Sequence, residues 1–163
     1  MNNIVLIGMP GVGKSTVGVI LAKELGYQFV DADLLIQKQE NRLLKEIIAS
    51  EGVDGFIAIE NQVNASIRAE RTVIATGGSV VYGKEAMEHL KKIATVIYLK
   101  LSYQSLRKRL GNLKNRGVVL RNGQTLKDLY EERVALYEQY ADVIIDEENK
   151  GIEETLQCIV DAL

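Results

Sequence analysis

The chain has 163 residues, 47% of them hydrophobic, enough to fill the core of one compact domain spanning residues 1–163. Twenty Lys and Arg against 22 Asp and Glu leave a formal charge of −2, and no basic block interleaved with aromatics marks a nucleic-acid groove. No apolar run reaches membrane-span length and the N-terminus enters a strand at once, so a cytoplasmic protein without a membrane partner is expected.

The first predicted element is the apolar run Asn3–Ile7, read as a buried parallel strand. It leads into Gly8-Met-Pro-Gly-Val-Gly-Lys14-Ser15, with Val17, Ile20, Leu21 and Leu25 recurring at helical spacing behind it. Strand, glycine-rich turn and helix in this order form a phosphate-binding loop. Gly8, Gly11 and Gly13, with Val12 among them, let the backbone amides wrap closely around an anion. Lys14 is expected over the β- and γ-phosphates and Ser15 on Mg²⁺, with Thr16 in the helix end whose positive dipole faces the phosphates. A nucleoside triphosphate with Mg²⁺ is the implied ligand.

A weaker strand at Tyr27–Val30 precedes Asp31 and Asp33. Period-2 geometry places both carboxylates on one side. Asp31 then serves Mg²⁺ through water, and Asp33 accepts a hydrogen bond from an acceptor hydroxyl. Asp33 also precedes Leu34, Leu35 and Ile36 in the manner of a helix N-cap, a role compatible with the first. Further on, Phe56, Ile59, Val63 and Ile67 form an apolar helix stripe, which leaves Ile57 on the face carrying Glu60, Asn61 and Asn64. Strands are predicted at Thr72–Ala75, Thr95–Leu99 and Val143–Ile145, alternating with helices. The lone His89 reads as a solvated side chain on a surface helix, and Cys158 as a packed thiol. The segment 110–123, rich in Gly, Asn and basic residues, reads as a lid that brings Arg116, or else Arg121, over the phosphates. Alternation of strand and helix predicts an α/β fold with a mainly parallel sheet covered on both faces, its site at the carboxyl ends of the strands.

These motifs together resemble the shikimate kinase family of small P-loop kinases. The resemblance runs through the phosphate loop and Ser15-Thr16, Asp31-Ala-Asp33, Ala75-Thr76-Gly77-Gly78, Val96-Ile-Tyr98-Leu99 followed by Ser102, the arginine-bearing lid, and Arg133-x-x-x-Tyr137 leading to Ala141-Asp142. It implies a P-loop NTPase three-layer α/β/α sandwich with a five-stranded sheet, and transfer of phosphate from ATP, with Mg²⁺, to one hydroxyl of a small cyclic polyhydroxy acid. By the same resemblance Asp31 serves Mg²⁺ and Asp33 contacts the acceptor. Gly77, Gly78 and Glu60 fall in the acceptor site within helices spanning about 33–70 and the following loop. Arg133 becomes a carboxylate clamp, Arg116 the lid residue that reaches ATP, and Arg109 the residue stacked on adenine, with Arg107 and Lys108 as neighbouring candidates.

Three departures fall around the acceptor. The family's Phe-Arg-x-x-Glu reads Phe56-Ile57-Ala58-Ile59-Glu60, a glycine is replaced by Ser79, and the lid's Arg-Pro-Leu-Leu reads Arg116-Gly-Val-Val-Leu. Losing one charge-assisted carboxylate contact removes roughly 1.5–3 kcal/mol of binding. Shikimate is therefore the default acceptor, with another small hydroxylated acid or an amino acid such as homoserine as the alternative within the fold. A nucleotide-binding module without phosphotransfer is the alternative outside catalysis. A monomer is expected.

Overall fold

The computed structural model describes residues 2–111 and 121–163. Its five strands are β1 (Asn3–Ile7), β2 (Gln28–Asp31), β3 (Thr72–Ala75), β4 (Ala94–Lys100) and β5 (Val143–Asp146), all parallel, in the spatial order β2-β3-β1-β4-β5. The sheet is wholly parallel because every connection is a helical crossover. The helices are α1 (Lys14–Leu25), α2 (Ala32–Glu40), α3 (Leu44–Ala65), α4 (Lys84–Ile93), α5 (Tyr103–Leu110), α6 (Leu126–Tyr140) and α7 (Ile152–Ala162), with a 3₁₀ turn at Val80–Tyr82.

β1 is buried along its whole length, as a central strand covered on two faces must be. From β1 the chain steps outward to β2 and then returns across the sheet through β3, β4 and β5. With right-handed crossovers, that reversal sends α1 to one face and α3, α4 and α6 to the other. The contacts agree: α1 packs on α7 and on β2 and β3, whereas α4 and α6 pack on β4 and α3 packs on α4. Leu6, Ile7, Leu21, Ile74, Met87, Leu90, Ile97 and Leu106 are fully buried between the layers. Each contributes about 1.5–3 kcal/mol of apolar burial. Asn3 ties the opposite end of the sheet, donating to the carbonyls of Ala69 and Ile93 and accepting from Thr72 N.

Several boundaries differ from the sequence reading. The weak second strand lies one residue later, and Asp31 is its last residue, so Asp33 belongs to the first turn of α2. The two aspartates therefore converge because a strand gives way to a helix, not through period-2 alternation. Asp31 is the N-cap instead of Asp33: its Oδ1 accepts from Asp33 N at 2.9 Å and Leu34 N at 3.4 Å. α3 is broken at Gly52, whose φ of 75° lies outside helical geometry, and Ile67 lies beyond its end. His89 is half-buried, with Nε2 2.6 Å from the Ile67 carbonyl, so it ties α4 to the end of α3 instead of standing in solvent.

Because all strands run the same way, their carboxyl ends share one edge of the sheet. Gly8, Thr76 and Glu147 follow three of those ends and Asp31 closes a fourth.

Candidate active site

The loop after β1 runs through Gly8, Gly11 and Gly13 at φ of 149°, 93° and 88°, a conformation that a Cβ would strain. Gly13 is the left-handed N-cap of α1, so the helix opens directly behind the loop. Lys14 folds back over this turn and its Nζ donates to the carbonyls of Gly8 at 2.6 Å and Met9 at 3.0 Å. Burial lowers the Lys14 pKa to about 8, opposed chiefly by the Asp33 carboxylate. An ammonium kept short of water and held only by carbonyls is a strong site for phosphate oxygens.

Ser15 Oγ donates to Asp31 Oδ2 at 3.1 Å, which joins the loop to the end of β2. Among the described residues no group of three or more His, Cys, Asp or Glu could hold a metal. That donor set fits Mg²⁺, which keeps several waters and binds through one or two protein oxygens together with phosphates.

Gly11, Gly13, Lys14, Ser15 and Thr16 form one wall of a cleft of about 410 Å³, and Asp33, Glu60, Gly77, Gly78, Ser79 and Arg133 form much of the other. Gly77 is required here by close approach: a Cβ on it would come within 2.7 Å of Asp33 Oδ1 and 2.8 Å of Glu60 Oε2. Burial raises the Asp33 pKa, and the neighbouring Asp31 adds to the shift. Glu60 is only 1% exposed. Its Oε1 accepts from Ser79 Oγ at 2.5 Å and its Oε2 has no partner.

Arg133 is 2% exposed, with its Cζ 5.5 Å from the Tyr82 ring centroid. It is therefore not a surface residue, and the neighbour it meets on its own helix is the equally buried Tyr137. The Tyr137 hydroxyl donates to the Gly78 carbonyl at 2.5 Å, so one helical turn of α6 braces the Gly77-Gly78 loop while Arg133 enters the cleft. Phe56 supplies an apolar wall together with Leu44 and Ile48, which no motif announced.

The face of α3 carrying Glu60, Asn61 and Asn64 turns inward, with Glu60 and Asn64 buried. Its polar residues face the cleft and the neighbouring α4, where Asn61 Oδ1 accepts from Ala86 N. The placing of Ile57 in the acceptor site requires correction. Ile57 does not line the main cleft. It borders a small adjoining crevice with Val53, Tyr82, Arg121 and Arg133, and Arg133 is common to both spaces. Arg121 pairs with Asp54 at 2.7 Å at the mouth of that crevice.

On the far side of the phosphate loop, Val12, Gly13 and Thr16 border a second cavity with Arg109 and Glu147. Arg109 Nη1 donates to the Gly11 carbonyl at 3.3 Å. Arg107 and Lys108 instead line a separate groove with Tyr103 and Tyr130. Arg116 and most of the 110–123 segment lie outside the described residues.

Burial holds the Glu60 carboxyl up at about 7. The folded chain therefore binds a proton at this site that the unfolded chain releases between the ordinary glutamate range and pH 7. Stability falls as pH rises through that window. Glu60→Gln is expected to flatten the decline by about 1–3 kcal/mol, several degrees in Tm, in thermal melts taken from pH 5 to 8. An unchanged pH slope would show that Glu60 is not the group responsible.

Comparisons with known proteins agree with this geometry. The model of the family described as shikimate kinase matches residues 10–163. Shikimate kinase of Thermodesulfovibrio yellowstonii is 39% identical over 163 residues, covering 98% of this chain and 94% of that protein. Shikimate kinase of Clostridium botulinum strain Loch Maree is 38% identical over 99% of this chain and 96% of its own length. Among solved structures, the Acinetobacter baumannii shikimate kinase in complex with shikimate superposes with a TM-score of 0.86 at 33% identity, over 99% of this chain and 92% of that one. The Aquifex aeolicus enzyme gives a TM-score of 0.82 at 29% identity, over 98% and 95% of the two chains. The fold is that of the P-loop kinases, the cofactors are ATP and Mg²⁺, and the chain is a small-molecule kinase that belongs to the shikimate kinase family.

Proposed function

We propose that this chain transfers the γ-phosphoryl group of ATP to a hydroxyl of shikimate. The observation that carries the reading is the convergence of Lys14, Asp33 and Arg133 on one cleft, with two carboxylates and a buried guanidinium grouped around Gly77 and Gly78. A cleft with a phosphate cradle at one end and a hydroxyl acceptor, a carboxyl partner and an apolar wall at the other suits a small polyhydroxylated acid.

In this reading the acceptor carboxylate lies on Arg133 and its ring edge on Leu44, Ile48 and Phe56. Asp33 orients the reacting hydroxyl and takes its proton as the new O–P bond forms and the bond from the γ-phosphorus to the β-bridging oxygen breaks. Its raised pKa matches that task, since a carboxylate desolvated beside Asp31 is a better base than one in water. Lys14 leaves the Gly8 and Met9 carbonyls to stabilise charge on the transferring group. Ser15 and Asp31 are the residues that would hold Mg²⁺, which would supply positive charge to offset that of the phosphates. Glu60, fixed by Ser79, offers its unpartnered oxygen to a second acceptor hydroxyl. Arg109 flanks the base, and Arg116 in the 110–123 lid is assigned to the ATP phosphates by resemblance alone. Residues 1–163 act as one kinase domain, with 33–70 as the acceptor-binding part. We take the working form to be a cytoplasmic monomer without nucleic-acid partners, in keeping with the charge of −2. Among the described residues no helix is long and apolar enough to cross a membrane.

Ile57 sets the affinity of this site. It stands beside Arg133 and one helical turn from Glu60, whose Oε2 lacks a donor. A guanidinium there would meet both Glu60 and an acceptor carboxylate. Ile57→Arg is expected to lower the KM for shikimate by about one to two orders of magnitude with kcat changed less than about threefold. Steady-state assays over a shikimate series test this, and an unchanged or higher KM would show that the acceptor carboxylate does not approach α3.

A further inference from the structure

The second cavity, of about 290 Å³, contains a group that no step of the transfer uses. Glu147 follows β5 and is 4% exposed. Its backbone is pinned on both sides: its amide donates to the Lys100 carbonyl at 2.8 Å, prolonging the β4–β5 ladder, and its carbonyl accepts from Lys150 N at 3.0 Å. The flanking carboxylates have local work. Asp146 Oδ1 accepts from Glu148 N, and Glu148 accepts from Ser102 N and Ser105 Oγ at the start of α5. Glu147 has no such duty. Its Oε1 has no hydrogen-bond partner, and the Arg109 guanidinium stops 4.0 Å away.

A buried acceptor oxygen without a donor is unfavourable unless a ligand supplies one. Gly13 and Thr16 border both this cavity and the catalytic cleft. A nucleotide with its phosphates in the loop therefore has a route for its base to this side, beneath Arg109. Lys150 is the other cation lining the space.

We propose that Glu147 reads the nucleobase: its Oε1 accepts a hydrogen bond from the exocyclic 6-amino group of adenine, and it disfavours guanine, which carries a carbonyl oxygen at that position. This deepens the reading of the phosphate loop as the ATP site and rests on it. A buried acceptor built to meet an amino group is left unpaired by the analogue that lacks it, which is how such a site discriminates. Burial holds the Glu147 carboxyl at about 7, with Arg109 and Lys14 opposing the rise, so at pH 8 it is ionised and presents acceptors only.

The test is calorimetric binding of ATP and GTP, each with Mg²⁺, at pH 8 to the unmodified chain and to Glu147→Ala, Glu147→Gln and Lys14→Met. Glu147→Ala is expected to weaken ATP by about 10- to 100-fold while leaving GTP unchanged or strengthening it. Glu147→Gln keeps the side-chain shape and adds a donor for the guanine carbonyl, so it is expected to narrow the ATP preference by strengthening GTP. Equal losses for both nucleotides, or an unchanged preference in both variants, would mean that Glu147 only supports Arg109 or the loop, and would overturn the proposal. Lys14→Met is expected to weaken both nucleotides alike. If it leaves ATP affinity intact, the phosphate-loop reading itself fails.

Discussion

Asp33→Asn is expected to reduce kcat by about 10²- to 10⁴-fold while the KM for ATP moves less than about threefold. The amide has the shape of the carboxylate and can still accept a hydrogen bond, so the acceptor remains in place. It cannot take the proton. Asp33 sits across Gly77 from Glu60, but Glu60 is held by Ser79 through its Oε1, whereas Asp33 is coupled to the Lys14 ammonium of the phosphate loop. Because Asp33 and Asp31 repel as anions, and because burial raises the Asp33 pKa, the variant is expected to melt at the same or a higher temperature at pH 8. Loss of rate without loss of stability identifies a catalytic group. A kcat within tenfold of the unmodified chain would mean that transfer needs no base here.

Lys14→Met is the second large effect. Removing the Lys14 ammonium is expected to lower kcat by about 10²- to 10³-fold and to weaken ATP as well. Its effect on folding has the opposite sign. The Lys14 pKa is lowered to about 8 by burial, so between pH 8 and the ordinary lysine range the unfolded chain binds a proton that the folded chain has released. Stability from this group therefore rises with pH through that window, and below pH 8 the charged side chain opposes folding. Methionine fills the same space without that penalty. The Gly8 and Met9 carbonyls lose a donor, which partly offsets the gain. A Tm held or raised at pH 7, together with the collapse in rate, is the expected pair of results. Kinetics and thermal melts on one preparation check it, and a variant that unfolds would assign Lys14 a structural role.

Legibility in the sequence followed the range of the interactions. β1 and the phosphate loop could be read almost residue by residue, because a buried central strand and a glycine turn at positive φ are local requirements. The parallel order also followed, since helices between strands permit little else. The position of Asp33 did not follow, because the one-residue shift of β2 depends on Asp31 capping α2, and either aspartate had the chemistry to cap. What the face of Glu60 and Asn64 meets did not follow, because helix periodicity says which residues share a face, not what that face meets. α4 and the 3₁₀ turn at Val80–Tyr82 pack against this helix. Glu147 was invisible for a different reason. One glutamate in the acidic run Asp146–Glu148 looks like any surface charge until the β4–β5 pairing buries it and leaves an oxygen without a donor. Arg133 was legible only through Tyr137 four residues on, a pair whose shared purpose appears when Tyr137 reaches the Gly78 carbonyl.

Ile57, beside Arg133, and Ser79, on Glu60, are two departures from the family motifs, so the acceptor is the point to test. The direct test is ADP release by the purified chain with Mg²⁺ and ATP, in the presence and absence of millimolar shikimate. Release is expected to depend on shikimate, to saturate at a high KM and to be matched mole for mole by phosphorylated acid. Release that shikimate does not stimulate, in a preparation that turns over with another hydroxylated acid or amino acid, would contradict shikimate as the acceptor.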